Sequence, residues 1–370
     1  IEMKNDVEGF DYPHVNSTLC INCGLCKKIC PVNNMPKLNN VLEGYVCRYK
    51  DLDVVNNSTS GGTCSAFADY TFERNGLIYG VGYDSKMKVR HFCIDKTERN
   101  RIIEMSGSKY VQSDLNNSFT EIKKVLKNGK FVCFSGTPCQ VAGLKNYLGE
   151  DYDNLVTVDL VCHGVSSPLV FKKYIEYQEQ KNKSKVIDAR FRNKTYGYHS
   201  GTMMLMFENG KKYYGSGRID HMLKAYFSGA CSRNSCYKCP FKGIDRCSDI
   251  TVFDSWHIEQ LVNGQKDDDK GYTNVLVHTE KGRKILSKMK LFLPGWEADP
   301  ALMKQLDGIM IDNNPERAEC RQVLIGEIIK NGFFVSMQKY LPITSKDHLI
   351  EKGKIVAHKT GLLRRIKVRK

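Results

Sequence analysis

The chain has 370 residues, 41% of them hydrophobic and 10% aromatic, which is enough to bury a substantial core, excludes disorder as the default and suggests two or three structural units. No apolar run approaches the ~18 residues that cross a bilayer, and residues 1–11 carry acidic groups where a secretory signal would be apolar, so an export signal is not expected. A formal charge of +15 invites nucleic acid or phosphate-bearing surfaces, but no nucleic-acid-binding motif accompanies it, and bound anionic cofactors would absorb part of the excess.

Residues 1–36 are rich in Cys, Asn and Pro and lack an apolar periodicity of their own. Residues 44–48, 77–83 and 89–94 then read as strands, with a helix over 63–74. A helix over 119–127 would bury Phe119, Ile122, Val125 and Leu126, and it precedes a short apolar strand at 131–134. Thr137-Pro138-Cys139-Gln140 has the signature of a helix start, with Thr as N-cap, Pro in the first turn and Gln at the capping-box position. That helix would bury Val141, Leu144 and Leu148. A strand at 155–161 and a helix opening at Ser166-Ser167-Pro168 continue an alternation that predicts an α/β body with a largely parallel, mixed sheet. Asn209-Gly210 between 202–207 and 211–214 marks a hairpin. Strands follow at 250–253 and 272–278, and the remainder reads as helical with a basic end at 362–370, where a solvated tail and a peripheral contact with anionic lipid or a partner are alternatives.

Fifteen cysteines without an export signal point to a reducing, cytoplasmic setting, where such clusters bind metal or do redox chemistry. Cys20-x2-Cys23-x2-Cys26-x3-Cys30-Pro31 is the bacterial ferredoxin run, so these four thiolates are expected to hold a 4Fe-4S cluster, with Gly24 letting the backbone come close to it. Cys231, Cys236, Cys239 and Cys247 form a second group. Its spacing is compatible with a second iron-sulfur cluster, a zinc site or free buried thiols, and Cys139 or Cys162 could supply the fourth ligand instead of Cys247. Two helix starts, at Ser60-Gly61-Gly62-Thr63 and Gly136-Thr137-Pro138, could each direct backbone N–H groups at a phosphate.

The motifs Ser60-Gly61-Gly62, Gly107-Ser108-Lys109-Tyr110-Val111-Gln112-Ser113, Phe134 to Leu144, Val161-Cys162-His163-Gly164-Val165 and Ser248-Asp249-Ile250-Thr251 occur in order. In this combination the chain resembles the coenzyme F(420) hydrogenase/dehydrogenase beta-subunit family from about Cys20 to Trp256. The resemblance implies FAD, one or two 4Fe-4S clusters, and electron transfer between these and an organic substrate or the deazaflavin coenzyme; some similar proteins serve polysaccharide biosynthesis. It assigns Ser60, Gly61, Gly62, Thr63, Lys109 and Tyr110 to the flavin region. Gly136, Thr137, Pro138, Cys139, Gln140, Cys162, His163 and Gly164 would line the flavin or the second cluster. Lys109 would neutralise a pyrophosphate or reduced flavin and His163 would move a proton, both as catalytic residues.

The family pattern is departed from at Gly197-Tyr198 and at Asp254-Ser255-Trp256-His257, where the substrate side is expected. The implied organisation is a ferredoxin-like unit at 1–36, the first α/β part of a flavoprotein body at 37–100, a flavin and second-cluster domain at 101–280, and a helical region at 281–370. Ferredoxin or a similar carrier and a small organic substrate are the expected partners; an electron-transfer subunit of a larger complex, with no substrate site of its own, is the alternative.

Overall fold

Four runs dominated by Val, Ile, Leu and aromatic residues become adjacent parallel strands: Leu77–Tyr83, Val132–Gly136, Leu155–Leu160 and Ile250–Ser255. Such continuous apolar composition suits strands covered on both faces. Antiparallel strands extend the sheet, Val89–Ile94 beside Leu77–Tyr83, and Tyr272–Val277, Glu43–Cys47 and Gly295–Glu297 beyond Ile250–Ser255. In this computed structural model, which describes residues 1–360, the result is a mixed eight-stranded sheet. The basic stretch 362–370 lies outside the described residues.

The predicted elements are present with small changes of boundary. Helix Thr63–Phe72 ends two residues earlier than the 63–74 expectation, because Asn75 turns the chain in a left-handed conformation and Gly76 then passes against the Phe131 carbonyl. Thr137 and Gln140 form a capping box at the head of helix Pro138–Leu148. Helix Ser118–Lys127 buries Ile122 and Leu126 against the same sheet.

A second layer surrounds a three-stranded antiparallel sheet, Val186–Asn193, Thr202–Phe207 and Lys212–Ser216. Its apolar face packs against helices Pro168–Asn182, Arg321–Asn331 and Phe333–Tyr340, giving a separate core around Phe191, Leu205, Tyr174 and Leu324. The large sheet takes strands from residues 43 to 297, so the stretches read as 37–100, 101–280 and the start of 281–370 share one sheet. Beyond it the described chain is helical from Pro300 to Lys359. The hairpin Glu2–Asn5 with Asp11–His14, not foreseen from the sequence, precedes the cysteine run. Among the described residues no helix is long and apolar enough to cross a membrane.

The Ser248–Thr251 motif is a brace between strands. Buried Asp249 accepts hydrogen bonds from the Thr157 N–H and hydroxyl, both at 2.8 Å, and from the Thr279 hydroxyl at 2.7 Å. Asp249→Ala leaves these donors buried and unpaired, so the expected loss of stability is about 2–4 kcal/mol. A urea or thermal unfolding series on the variant measures it; an unchanged transition would show that the brace is dispensable.

Candidate functional site

In an open α/β sheet, ligands bind beyond the carboxyl ends of the parallel strands. Gly136 and Asp159 are register partners on two neighbouring parallel strands, and the chain leaves both strands at this edge. Cys139 follows the first strand, in the opening turn of helix Pro138–Leu148, and Cys162 follows the second. Cys236, in the short turn Asn234–Lys238, and Cys239, just after it, complete a group of four around a cavity of about 1010 Å³.

Local contacts hold each thiol in place. The Thr137 hydroxyl lies 3.1 Å from Cys139 Sγ, and the Gly164 N–H donates to Cys162 Sγ at 3.3 Å. Gly164 has φ +109°, and a Cβ there would stand 3.2 Å from Cys236 Cβ, so only glycine lets the Cys162 loop lie against Cys236. The Cys239 N–H donates to Asn314 Oδ1 at 3.1 Å. Cys139 is exposed to the cavity, and the protein around it together with Cys239 and Cys236 pushes its thiol up; burial followed by the effect of Cys139 pushes Cys162 up to about 12. Lys242 faces the same group: its ammonium donates to the carbonyls of Cys162 at 2.6 Å and Met310 at 2.8 Å. Burial lowers its pKa, and the Cys162, Cys239 and Cys236 thiols oppose that shift.

Among the described residues no three His, Cys, Asp or Glu side chains converge on one point as ligands of a single metal ion. A cubane asks for something wider, one thiolate at each of four corners. Four thiols from three chain segments, facing a roomy cavity with a lysine beside them, fit that donor set.

The ferredoxin-type run sits next to this cavity. Cys20, Cys23 and Cys26 are exposed and Cys30 is half-buried, on a loop and the short helix Leu25–Ile29. Gly24 is required for its left-handed φ of +72°; nothing lies within 4 Å of a Cβ built there, so in this structure crowding is not the reason for glycine. Helix Leu25–Ile29 packs on Pro138–Leu148, and Asn146 donates to the Asn34 carbonyl at 2.7 Å. Pro31 and Val32, directly after Cys30, line the cavity that holds Cys139, Cys162, Cys236 and Cys239.

The second group therefore differs from its most local reading. Cys231 is fully buried in the core of the small sheet with Met222 and Leu223, against which Cys320 also packs. Cys247 is buried in the other core near Asp159, Lys145 and Arg246; Cys239 packs against the same core, and Cys247 borders a small hollow whose wall shares Pro138, Phe241 and Lys242 with the cavity. Neither lines the cavity. The loop 231–247 crosses from one core to the other, and strand ends far apart in sequence meet at the cavity.

Behind Cys139 runs a buried hydrogen-bond chain that sequence reasoning missed. Gln140 Oε1 accepts from the Thr137 N–H at 2.9 Å, and Gln140 Nε2 donates to Ser113 Oγ at 2.9 Å. Ser113 Oγ lies 3.0 Å from His91 Nδ1, and His91 Nε2 lies 3.1 Å from the Ser135 carbonyl, which can only accept. The proton is thus on Nε2, Nδ1 accepts from Ser113, and the ring stacks on Phe134 with centroids 5.4 Å apart. His91 in an alternating strand carried no signal of this role.

The remaining candidates do not line the cavity. The Gly61 N–H is taken by Thr273 Oγ1 at 2.8 Å, the Ser60 hydroxyl by the Tyr272 carbonyl, and Thr63 begins its helix after Gly62. The Lys109 ammonium binds the Glu104 carbonyl and lies 5.6 Å from the Tyr83 ring; burial lowers its pKa to about 8. Tyr110 stacks on Tyr226 at 4.2 Å. His163 has Nδ1 2.6 Å from Met310 Sδ and Nε2 buried without a partner; burial, then Lys242, lowers its pKa. The departures from the family pattern meet one another: Tyr198 stacks on Trp256 at 4.4 Å and donates to Asp254 Oδ1 at 3.0 Å.

An α/β body whose strand ends gather four thiols beside a docked ferredoxin-type run belongs to the iron-sulfur, redox class of proteins. Residues 129–291 match the family described as the C terminus of the coenzyme F420 hydrogenase/dehydrogenase beta subunit, and residues 13–35 match the 4Fe-4S binding domain. The matched stretch includes Cys139, Cys162, Cys236 and Cys239, while Ser60–Thr63 and Lys109 precede it. Among solved structures, a chain of the F420-reducing [NiFe] hydrogenase complex from Methanosarcina barkeri is similar at 17% identity and a TM-score of 0.47, over 80% of this chain and 95% of that one. No curated protein matches.

Burial lowers the His91 pKa from 6.5 to about 4. A ring neutral in the fold and protonated in the unfolded chain stabilises the fold fully above pH 6.5, and that contribution is lost as pH falls toward 4. His91→Gln cannot take up the proton, so its stability should fall less steeply than the parent's between pH 6.5 and 5, by up to about 1.4 kcal/mol per pH unit. Urea unfolding at stepped pH measures this, and parallel curves would remove His91 as the titrating group.

Proposed function

We propose that the chain is an iron-sulfur flavoprotein oxidoreductase, which passes electrons between a ferredoxin-type carrier and a small organic substrate through two 4Fe-4S clusters and FAD. One observation carries the reading: four cysteines from three segments surround one cavity, and the residues that follow Cys30 form part of its wall. Cys20, Cys23, Cys26 and Cys30 would hold one cluster, and Cys139, Cys162, Cys236 and Cys239 the other. When bound, the clusters supply one-electron transfer and the flavin couples it to two-electron chemistry.

This chain's own residues set the conditions for that chemistry. The Gly164 N–H and the Thr137 hydroxyl, each beside a cysteine sulfur, and the Lys242 ammonium all favour negative charge in the cavity. Phe119, Phe241 and Pro138 make part of its wall apolar. Ser60–Thr63 with Lys109 and Tyr110 is the flavin region implied by the family likeness. His163 is the group to exchange a proton with substrate or flavin, because its Nε2 has no partner within the protein. The family's description as a beta subunit supports the second reading, an electron-transfer subunit that works with partner chains. A cytoplasmic location belongs to the same proposal.

Anaerobically purified protein is expected to carry about eight irons per chain, with sulfide to match. Cys139→Ser and Cys236→Ser should each bring this to about four, while Cys231→Ser and Cys247→Ser should leave about eight. Full iron in the first two variants would sink the second-cluster assignment. Flavin released from the same sample should approach one FAD per chain. Its absence after reconstitution would remove the flavoenzyme and leave the electron-transfer subunit.

A further inference from the structure

A helix on a wetted surface hides its aliphatic face against the body and shows its charged face to water. Helix Ser345–Lys359 does the reverse. Asp347, Glu351, Lys354 and His358 recur at helical spacing on one face, and that face is turned inward. Glu351 is buried and accepts from the Ser216 hydroxyl at 2.6 Å. Asp347 closes a capping box with Thr344 and stands 3.8 Å from the Arg218 guanidinium, and the His358 ring lies 5.6 Å from that of Tyr196. Leu349 and Val356, two turns apart on the opposite face, are 71% and 60% exposed, with exposed Gly353 between them. Rolling the helix over to bury these two would take Glu351 away from Ser216, so the outward direction of the aliphatic face is fixed by the polar contacts beneath it.

Charge says what would cover that face. Lys346 and Lys352 are exposed beside it. From Thr344 to Lys370 the sequence has nine Lys and Arg against two Asp and Glu, a formal +7 of the chain's +15. The two acids are Asp347 and Glu351, both on the inward face, so the outward side of the helix carries cations and aliphatic groups and no carboxylate. Two copies meeting through this face would set +7 against +7, which opposes self-association. An aliphatic strip edged by lysines matches a surface that is apolar within and anionic at its rim, the cross-section of a bilayer containing acidic lipid. Lysine suits such an edge, because its stem lies on apolar groups while its ammonium reaches the headgroups.

We propose that helix Ser345–Lys359 is a peripheral attachment site for an anionic lipid bilayer, with Leu349 and Val356 entering the acyl boundary and the lysines meeting headgroups. The basic residues that follow in sequence, Arg364, Arg365, Lys367, Arg369 and Lys370, add to the attraction. No residue of the cysteine cavity takes part, so the attachment and the redox reading stand or fall separately.

Co-sedimentation of the full-length protein with lipid vesicles tests this. Vesicles of equal parts phosphatidylcholine and phosphatidylglycerol should bind it, and less strongly as sodium chloride is raised, while pure phosphatidylcholine should bind it about tenfold more weakly or worse. Leu349→Gln with Val356→Gln should weaken binding to the mixed vesicles by about tenfold, and so should Arg364→Gln with Arg365→Gln. Leu349 and Val356 are exposed, so their replacement should leave the thermal unfolding transition and the iron content unchanged, which separates lost attachment from lost fold. No binding, equal binding to the two kinds of vesicle, or full binding by the Leu349/Val356 variant overturns the proposal. So does a dimer, seen by light scattering, that this variant dissolves, because a second copy would then cover the helix. Binding to polyglutamate but not to vesicles, lost in the same variant, would make the partner an acidic protein and overturn it as well.

Discussion

The pairing of Val132–Gly136 with Leu155–Leu160 is the constraint on which the candidate site depends. Parallel strands release their chains at the same edge, and here both releases are followed within three residues by a cysteine. Val132, Phe134 and Leu155 pack into the core on one face of the sheet and Cys133, Val156 and Val158 into the core on the other, so the pairing is held from both sides. Cys139 and Cys162 are therefore neighbours as a consequence of apolar packing several residues away. Cys236 and Cys239 join them by way of a loop whose close approach depends on Gly164.

Around this edge the protein uses buried polar groups as fasteners. Arg246 and Asp159 stand 3.7 Å apart in the interior, and Arg246 pairs its backbone with Asn39, so the segment leaving the ferredoxin-type run is tied to the cysteine-rich loop. Burial pushes the Asp159 carboxyl up to about 6 against the opposing pull of Arg246 and of the Thr251 and Ser248 hydroxyls. On the other side Glu8 makes a two-pronged pair with Arg321, whose Nε donates to the Ser232 carbonyl at 3.0 Å. The hairpin before the cysteine run is thereby anchored to the C-terminal helices and to the loop that bears Cys236. Breaking one partner of such a pair is costly because the other stays buried and charged.

The order of strands and helices was legible because buried parallel strands are written as apolar runs and helix starts as Thr-Pro-x-Gln or Ser-Pro. The ferredoxin-type run was legible because its four cysteines lie within eleven residues and need no tertiary partner to define the spacing. For the second group, the spacing in sequence left the arrangement open. Cys236 and Cys239 line the cavity, and Cys231 and Cys247 lie in the cores on either side of it. A strand end followed by cysteine at Gly136 and again at Leu160 was the available signal, and it needed the strand order to be known.

By itself the sequence determined what is local: element types, caps, the hairpin turn at Asn209-Gly210 and the spacing of the first cysteine set, all governed by interactions over a few residues. Tertiary structure alone decided which distant residues share a site. Cys139 with Cys236, His91 with Gln140, and Arg192 with Trp256 are brought together by sheet order and core packing. These relationships are many-body results of burying apolar surface, and no spacing along the chain encodes them.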